Sequence, residues 1–250
     1  MIVDAADIVL REVLSGGMLA KMTVCIAALC DSGKSCVVAA DREITVGLPL
    51  NINFEHGERK IEQVAGTVAV LSSGNALVCA ELAGRLRNGL IASGEIKPEL
   101  QKAGGMLRDI YMQAHLERAE SVILRPRGLT LDEFKLYGAQ RLPLAIYQQI
   151  DQLFFNFTLN TEFIIAGVDQ SGAHIGWVHY HGVQGAGWLE WFDKLGYQAI
   201  GSGSSHAGVL LALANQHSQL SLPETIYNVY RAKRSAEVAP GVGTAPTWRS

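Results

Sequence analysis

The chain has 250 residues, 48% of them hydrophobic and 18% charged, with a formal net charge of −3. That is a globular composition, long enough for one large domain or two small ones. The charge balance removes any electrostatic case for binding nucleic acid or an anionic membrane, and no apolar run approaches spanning length.

The first 22 residues open with "MIVDAADIVLREVLSGGMLAK". Asp4, Asp7, Arg11 and Glu12 interrupt any apolar core, so this is not a secretory signal, and a cytoplasmic protein is expected. Residues 23–40, "TVCIAALCDSGKSCVVAA", predict two strands around an Asp-Ser-Gly-Lys turn. The pair is apolar on both faces, as in a sheet covered on both sides. Cys25, Cys30, Cys36 and Cys79 lie in apolar segments without CxxC spacing, the pattern of buried free thiols in a reducing compartment. Residues 60–73, "KIEQVAGTVAVLSS", predict a second hairpin turning at Ala65 and Gly66.

The period then changes. Val78, Leu82 and Leu86 share one helical face, and Leu107, Ile110, Tyr111 and Ala114 share another, which gives a helical pair. Pro126, Gly128 and Pro143 break residues 121–160 into pieces without a clear period. Strands resume over 162–168 and 173–181, with a third over 196–200. The last strand runs into "GSGSSHAGVLLALANQ", a glycine-serine turn opening a helix. A final helix starts at Ser221, with capping-box spacing to Glu224, Pro223 in its first turn, and an apolar stripe of Ile226, Val229 and Tyr230. The tail "APGVGTAPTWRS" reads as a loop. Strands, two helices, strands and two helices are buried best as a four-layer αββα sandwich of α+β class, in one domain over residues 23–250.

Chemistry-bearing residues sit at strand ends. Thr23 opens the first strand, Asp41 closes the second, Lys60 opens the third, Gly74 closes the fourth, and Ser202 lies in the "GSGSS" turn. Such positions suit one shared pocket. Each also has an ordinary reading: Thr23 as a β-former, Asp41 as a turn cap, Lys60 as a solvated cation, Gly74 as a tight turn. His179 and His181, two apart on one strand face, read as a surface pair, since a third metal ligand is missing. No metal or cofactor is expected.

Taken in order, the strand-initial Thr, "DREITVG", "KIEQV", "SGNA" and "GSGS" resemble the proteasome β-subunit superfamily of N-terminal-nucleophile hydrolases, closest to the bacterial proteasome-like or ancestral β-subunit type. The resemblance covers about Thr23 to Gly243, apart from the middle. It implies a threonine peptidase or amidase that assembles into rings and acts on peptide or protein substrates; an ATPase partner is left unspecified. By position, Thr23 matches the terminal nucleophile, Asp41 and Lys60 the acid–lysine pair, and Gly74 the oxyanion-hole glycine. Thr45 and Gly47 match the segment that pairs with substrate backbone, and Ser202 the serine beside the terminal amine. Glu237 stands, with a shifted alignment, for an aspartate.

Such a nucleophile needs a free amine on Thr23. Residues 1–22 are either a propeptide or a start-site artefact, with Met22 the true start, removed before small Thr23. The family's self-cleaving members place Gly before the Thr, so Met22 favours the second route. Longer loops at "DSGKSC" and between Asp41 and Lys60, together with the end at "GTAPTWRS" in place of further strands, favour an alternative: an inactive ring subunit or scaffold with an exposed sheet edge. A third option, a cysteine nucleophile at Cys25, would need cleavage after Val24.

Overall fold

The computed structural model describes residues 23–41, 43–46, 52–55, 60–95, 97–180, 189–239, 242 and 246–249. The 22-residue extension, Gly47 and His181 lie outside the described residues.

Continuous apolar runs over Cys25–Cys30 (β1) and Ser35–Asp41 (β2) make a hairpin whose two faces are both buried. Asp31, Ser32 and Gly33 close it at positive φ, which Asp tolerates and Gly adopts freely. Glu43–Val46 (β3) and Ile52–Glu55 (β4) form a separate two-stranded ladder that contains Thr45. Ile61–Ala65 (β5) and Val68–Gly74 (β6) form the second hairpin, followed by helices Ala76–Ala92 (α1) and Leu100–Ala119 (α2). Asn75 caps α1 by accepting from the Leu77 and Val78 amides.

The segment that the sequence left unassigned continues α2 through a π-turn over Glu120–Leu124 and a 3-10 turn over Arg125–Arg127. It then forms Leu131–Arg141 (α3) and Leu144–Asn156 (α4). These pieces bury their own small cluster around Ile123, Leu124, Phe134 and Ile150.

Thr161–Asp169 (β7), Gly172–Val178 (β8), Leu189–Trp191 (β9) and Tyr197–Ile200 (β10) follow, then helices Ser204–Leu213 (α5) and Leu222–Ala236 (α6), and last Pro246–Arg249 (β11). The class is therefore mixed α+β, with six α-helices among the described residues. There are two main antiparallel sheets, ordered β10-β1-β2-β11 and β5-β6-β7-β8-β9.

Three apolar clusters join these elements. Leu82, Leu86, Leu107 and Tyr111 of α1 and α2 pack on Val70, Phe163 and Ile165 of the five-stranded sheet. Leu211, Val229 and Ala232 of α5 and α6 pack on Ile26 and Val37 of the four-stranded sheet. The other strand faces meet each other through Leu29, Val38, Leu71, Ile164 and Ile175. No helix among the described residues is long and apolar enough to cross a membrane.

Three expectations are corrected. The tail is not all loop: β11 pairs antiparallel with β2, Pro246 opposite Asp41, so β2 is not the open sheet edge. The buried face of α6 is Thr225, Asn228, Val229, Ala232, Lys233 and Ala236, whereas Ile226 and Tyr230 are exposed. Asn228 donates to Gln216, which also contacts Thr225, so polar bonds and small side chains set the rotation of the helix. His179 is not a surface residue. It is buried, stacked on Trp177 at 3.6 Å and facing Glu190 at 3.4 Å.

Val229→Ala should lower unfolding free energy by roughly 2 kcal/mol from lost methyl burial and a residual cavity. Ile226→Ala should stay within about 0.5 kcal/mol. Urea denaturation of the two variants compares them directly, and equal losses would contradict this helix orientation.

Candidate functional site

Register brings the strand ends together. β1 pairs with β10 so that Cys25 faces Ile200, and two more steps along that ladder set Thr23 beside Ser202. β1 pairs with β2 so that Cys25 faces Ala40, and the Asp41 amide donates to the Val24 carbonyl at 3.1 Å. In the other sheet the Ser72 amide donates to the Lys60 carbonyl, which fixes Lys60 at the start of β5. The Cys25 thiol donates to the Ser72 carbonyl at 3.4 Å, bridging the two sheets at this end.

Asp41 is fully buried, and its carboxylate organises the cluster. Oδ1 accepts from the Val24 amide at 3.0 Å and from the Thr23 hydroxyl at 3.1 Å. Lys60 Nζ reaches across from the second sheet and donates to Oδ1 at 2.9 Å and Oδ2 at 3.0 Å. The same ammonium donates to Thr23 Oγ1. A buried carboxylate is costly unless it is paired and hydrogen-bonded; here it is both.

The Thr23 backbone is held from the other side by the turn after β10. The Thr23 nitrogen donates to Ser202 Oγ at 3.1 Å, and the Thr23 carbonyl accepts from the Gly203 amide at 3.1 Å. Gly201 has φ +93°, and a Cβ there would stand 2.2 Å from the Thr23 carbonyl oxygen, so only glycine lets the turn close this tightly.

Thr23, Asp41, Lys60 and Ser202 thus form one hydrogen-bonded group. Gly74 lies two residues beyond Ser72, at the end of β6 opposite Thr161. Its φ is +112°, and a Cβ would meet the Asn160 carbonyl at 1.9 Å, so the chain requires glycine there for packing alone. Thr45 lies in β3, paired with Asn53. Glu237 is not seated in the Thr23 group. It caps the end of α6, with Lys233 at 2.6 Å and Arg234 at 2.7 Å on its carboxylate. Among the described residues, no group of three or more His, Cys, Asp or Glu residues could hold a metal ion.

Sequence reasoning missed Glu162. It is buried at the start of β7, where Oε1 accepts from the Gly201 amide at 3.0 Å and Oε2 from the Trp177 indole at 3.3 Å. The signal was present: a lone acid in the otherwise apolar "EFIIAGV".

No protein-family model matches this sequence, and neither does any curated protein.

The geometry gives a hydroxyl that accepts from a cation and donates to a carboxylate, beside a backbone nitrogen. A hydroxyl in such surroundings is of the kind that an adjacent base can activate as a nucleophile. Cys25 is differently placed. Burial pushes its thiol well above the ordinary range, against an opposing pull from Lys60, so it stays protonated and a poor nucleophile. Burial likewise raises Cys30 to about 11 and Cys36 to about 12. Thiolate is the reactive form, so the native protein should alkylate slowly with iodoacetamide at pH 8 and quickly once unfolded in urea. Fast labelling of native Cys25 would revive it as a nucleophile.

Asp41→Ala should destabilise the fold by about 3–5 kcal/mol, because it strands the Lys60 ammonium near the sheet interface. Adding Lys60→Met should recover most of that loss, read by urea denaturation of wild type, single and double variants.

Proposed function

We propose that this chain is a threonine-type peptidase or amidase of the proteasome β-subunit-like N-terminal-nucleophile superfamily, with its layers arranged as a four-layer αββα sandwich. One observation carries the reading: Lys60 Nζ donates both to Thr23 Oγ1 and to both carboxylate oxygens of Asp41. The order of contacts, helices on one sheet, sheet on sheet, and helices on the other, supports the layer arrangement.

The reading requires Thr23 to become the first residue. While Met22 is joined to it, the Thr23 nitrogen is an amide and cannot take a proton. Freed, it is an α-amine with a pKa near 7.7–8.0, close to working pH. The amine then removes the proton from Oγ1, and the Lys60 charge favours the developing alkoxide. Oγ1 attacks the carbonyl carbon of a peptide or amide and forms a tetrahedral oxyanion. Gly74 is the residue proposed to donate its N–H to that oxyanion, an interaction of about 2.7–4 kcal/mol by comparison with known losses. The amine returns its proton to the leaving nitrogen as the C–N bond breaks, which leaves an ester on Thr23. A water molecule hydrolyses the ester and restores the hydroxyl. Ser202, within 3.1 Å of the Thr23 nitrogen, orients the amine through both steps.

Thr45 and Gly47 are proposed to pair with substrate backbone. Assembly into rings and residence in the cytoplasm belong to the same proposal. The second reading is an inactive ring subunit or scaffold, which holds if residues 1–22 stay joined to Thr23.

Intact-mass measurement separates the readings first, since a chain that keeps residues 1–22 has no amine on Thr23. In protein that starts at Thr23, Thr23→Ala should reduce hydrolysis of a fluorogenic peptide amide by about 10³-fold or more. Unchanged turnover would refute the proposed nucleophile.

A further inference from the structure

The buried carboxylate of Glu162 has no part in the chemistry proposed above. It occupies the inter-sheet face of β7, the face that also carries Ile164 and Ala166 in the core between the sheets. An anion in that setting costs several kcal/mol unless donors surround it. Its donors include two of unlike origin: the Trp177 indole from β8 of its own sheet, and the Gly201 amide from the opposite sheet.

The second contact matters for function. Gly201 is the first residue of the turn whose Ser202 hydroxyl accepts from the Thr23 N–H and whose Gly203 amide donates to the Thr23 carbonyl. Its positive φ places it in a conformation with little local preference to hold it there. Within the turn the Ser204 amide donates to the Gly201 carbonyl at 3.0 Å, which leaves the Gly201 N–H to be held from outside. β10 ends at Ile200 and α5 begins at Ser204. Glu162 supplies the external clamp by binding the Gly201 N–H. A loose turn would let Ser202 Oγ drift from the Thr23 nitrogen, and a misplacement of about 1 Å in such a group can cost about 10²-fold in rate.

We infer that Glu162 is a positioning residue for the Thr23 amine, acting through the Gly201 N–H and Ser202. The inference rests on the hydrolase reading for its catalytic consequence, but not for its structural one.

The test has two arms. In the full chain, Glu162→Ala should speed hydrogen exchange of the Gly201–Ser204 amides at least tenfold, while the β1–β2 ladder amides keep wild-type protection. In protein that starts at Thr23, the same variant should lower kcat on a peptide amide by about 10- to 100-fold with KM within about twofold. Glu162→Gln keeps one oxygen for the Gly201 amide and should restore most of kcat. If Glu162→Ala does not fold, Glu162→Gln and Trp177→Phe carry the test. Each perturbs one side of the clamp, and each should give a smaller loss of kcat with unchanged KM. Unaltered exchange in the turn, or altered exchange with unaltered kcat, overturns the inference. If wild-type protein starting at Thr23 hydrolyses nothing, the hydrolase reading fails instead, and the exchange arm alone decides whether Glu162 holds the turn.

Discussion

A carboxylate with no access to water must be answered from every side, and Asp41 sets that demand at the end of β2. Its answer comes from two distant stretches of chain. Val24 gives a backbone N–H, Thr23 gives a hydroxyl, and Lys60 crosses from the other sheet with a charge. Each donor is placed by a ladder of hydrogen bonds, not by a loop. The carboxylate therefore fixes the relative height of the two sheets at this end. Removing any one donor weakens the compensation of a buried carboxylate.

The same economy shapes the turn beyond β10. Gly201, Ser202 and Gly203 wrap the Thr23 peptide so closely that a single methyl at Gly201 would collide with its carbonyl. Close approach gives the serine its reach, and it also makes the turn dependent on an outside anchor. Glu162 is that anchor, and it ties β7 to the turn across the inter-sheet core. Two buried acids, one on each sheet, thus hold opposite sides of one threonine. Asp41 addresses the hydroxyl, and Glu162 addresses the support of the nitrogen.

Much of this was legible in sequence because strand ends are easy to locate. The unbroken apolar run after Thr23 in "TVCIAALC" places Thr23 at the mouth of β1, and the break at Asp41 marks the end of β2. Polar residues at such breaks are natural candidates for a shared site. Glu162 was less visible. A lone acid in an apolar strand reads as a break in the pattern until the donor from the far sheet is known. The rotation of α6 was hidden because Asn228 and Lys233 are polar yet buried, against the usual rule that polar side chains face water. β11 was hidden because four residues led by a proline carry too little alternation to mark a strand. The π-turn after α2 breaks the 3.6-residue period, which is why residues 121–160 showed no helical face. Glu237 was matched by alignment to a family position, and its real neighbours on α6 lie only three and four residues away.

The pairing of β1 with β10 carries one further consequence. Thr23 and Ser202 are separated by 179 residues, and β11 adds its strand to β2 later still. Contacts this distant in sequence are slow to close and cannot close before the later partner exists. A ribosome must therefore finish nearly the whole chain before Thr23 meets the turn that supports it. During synthesis Thr23 emerges well before Ser202, so the hydrogen-bonded group around it is completed late.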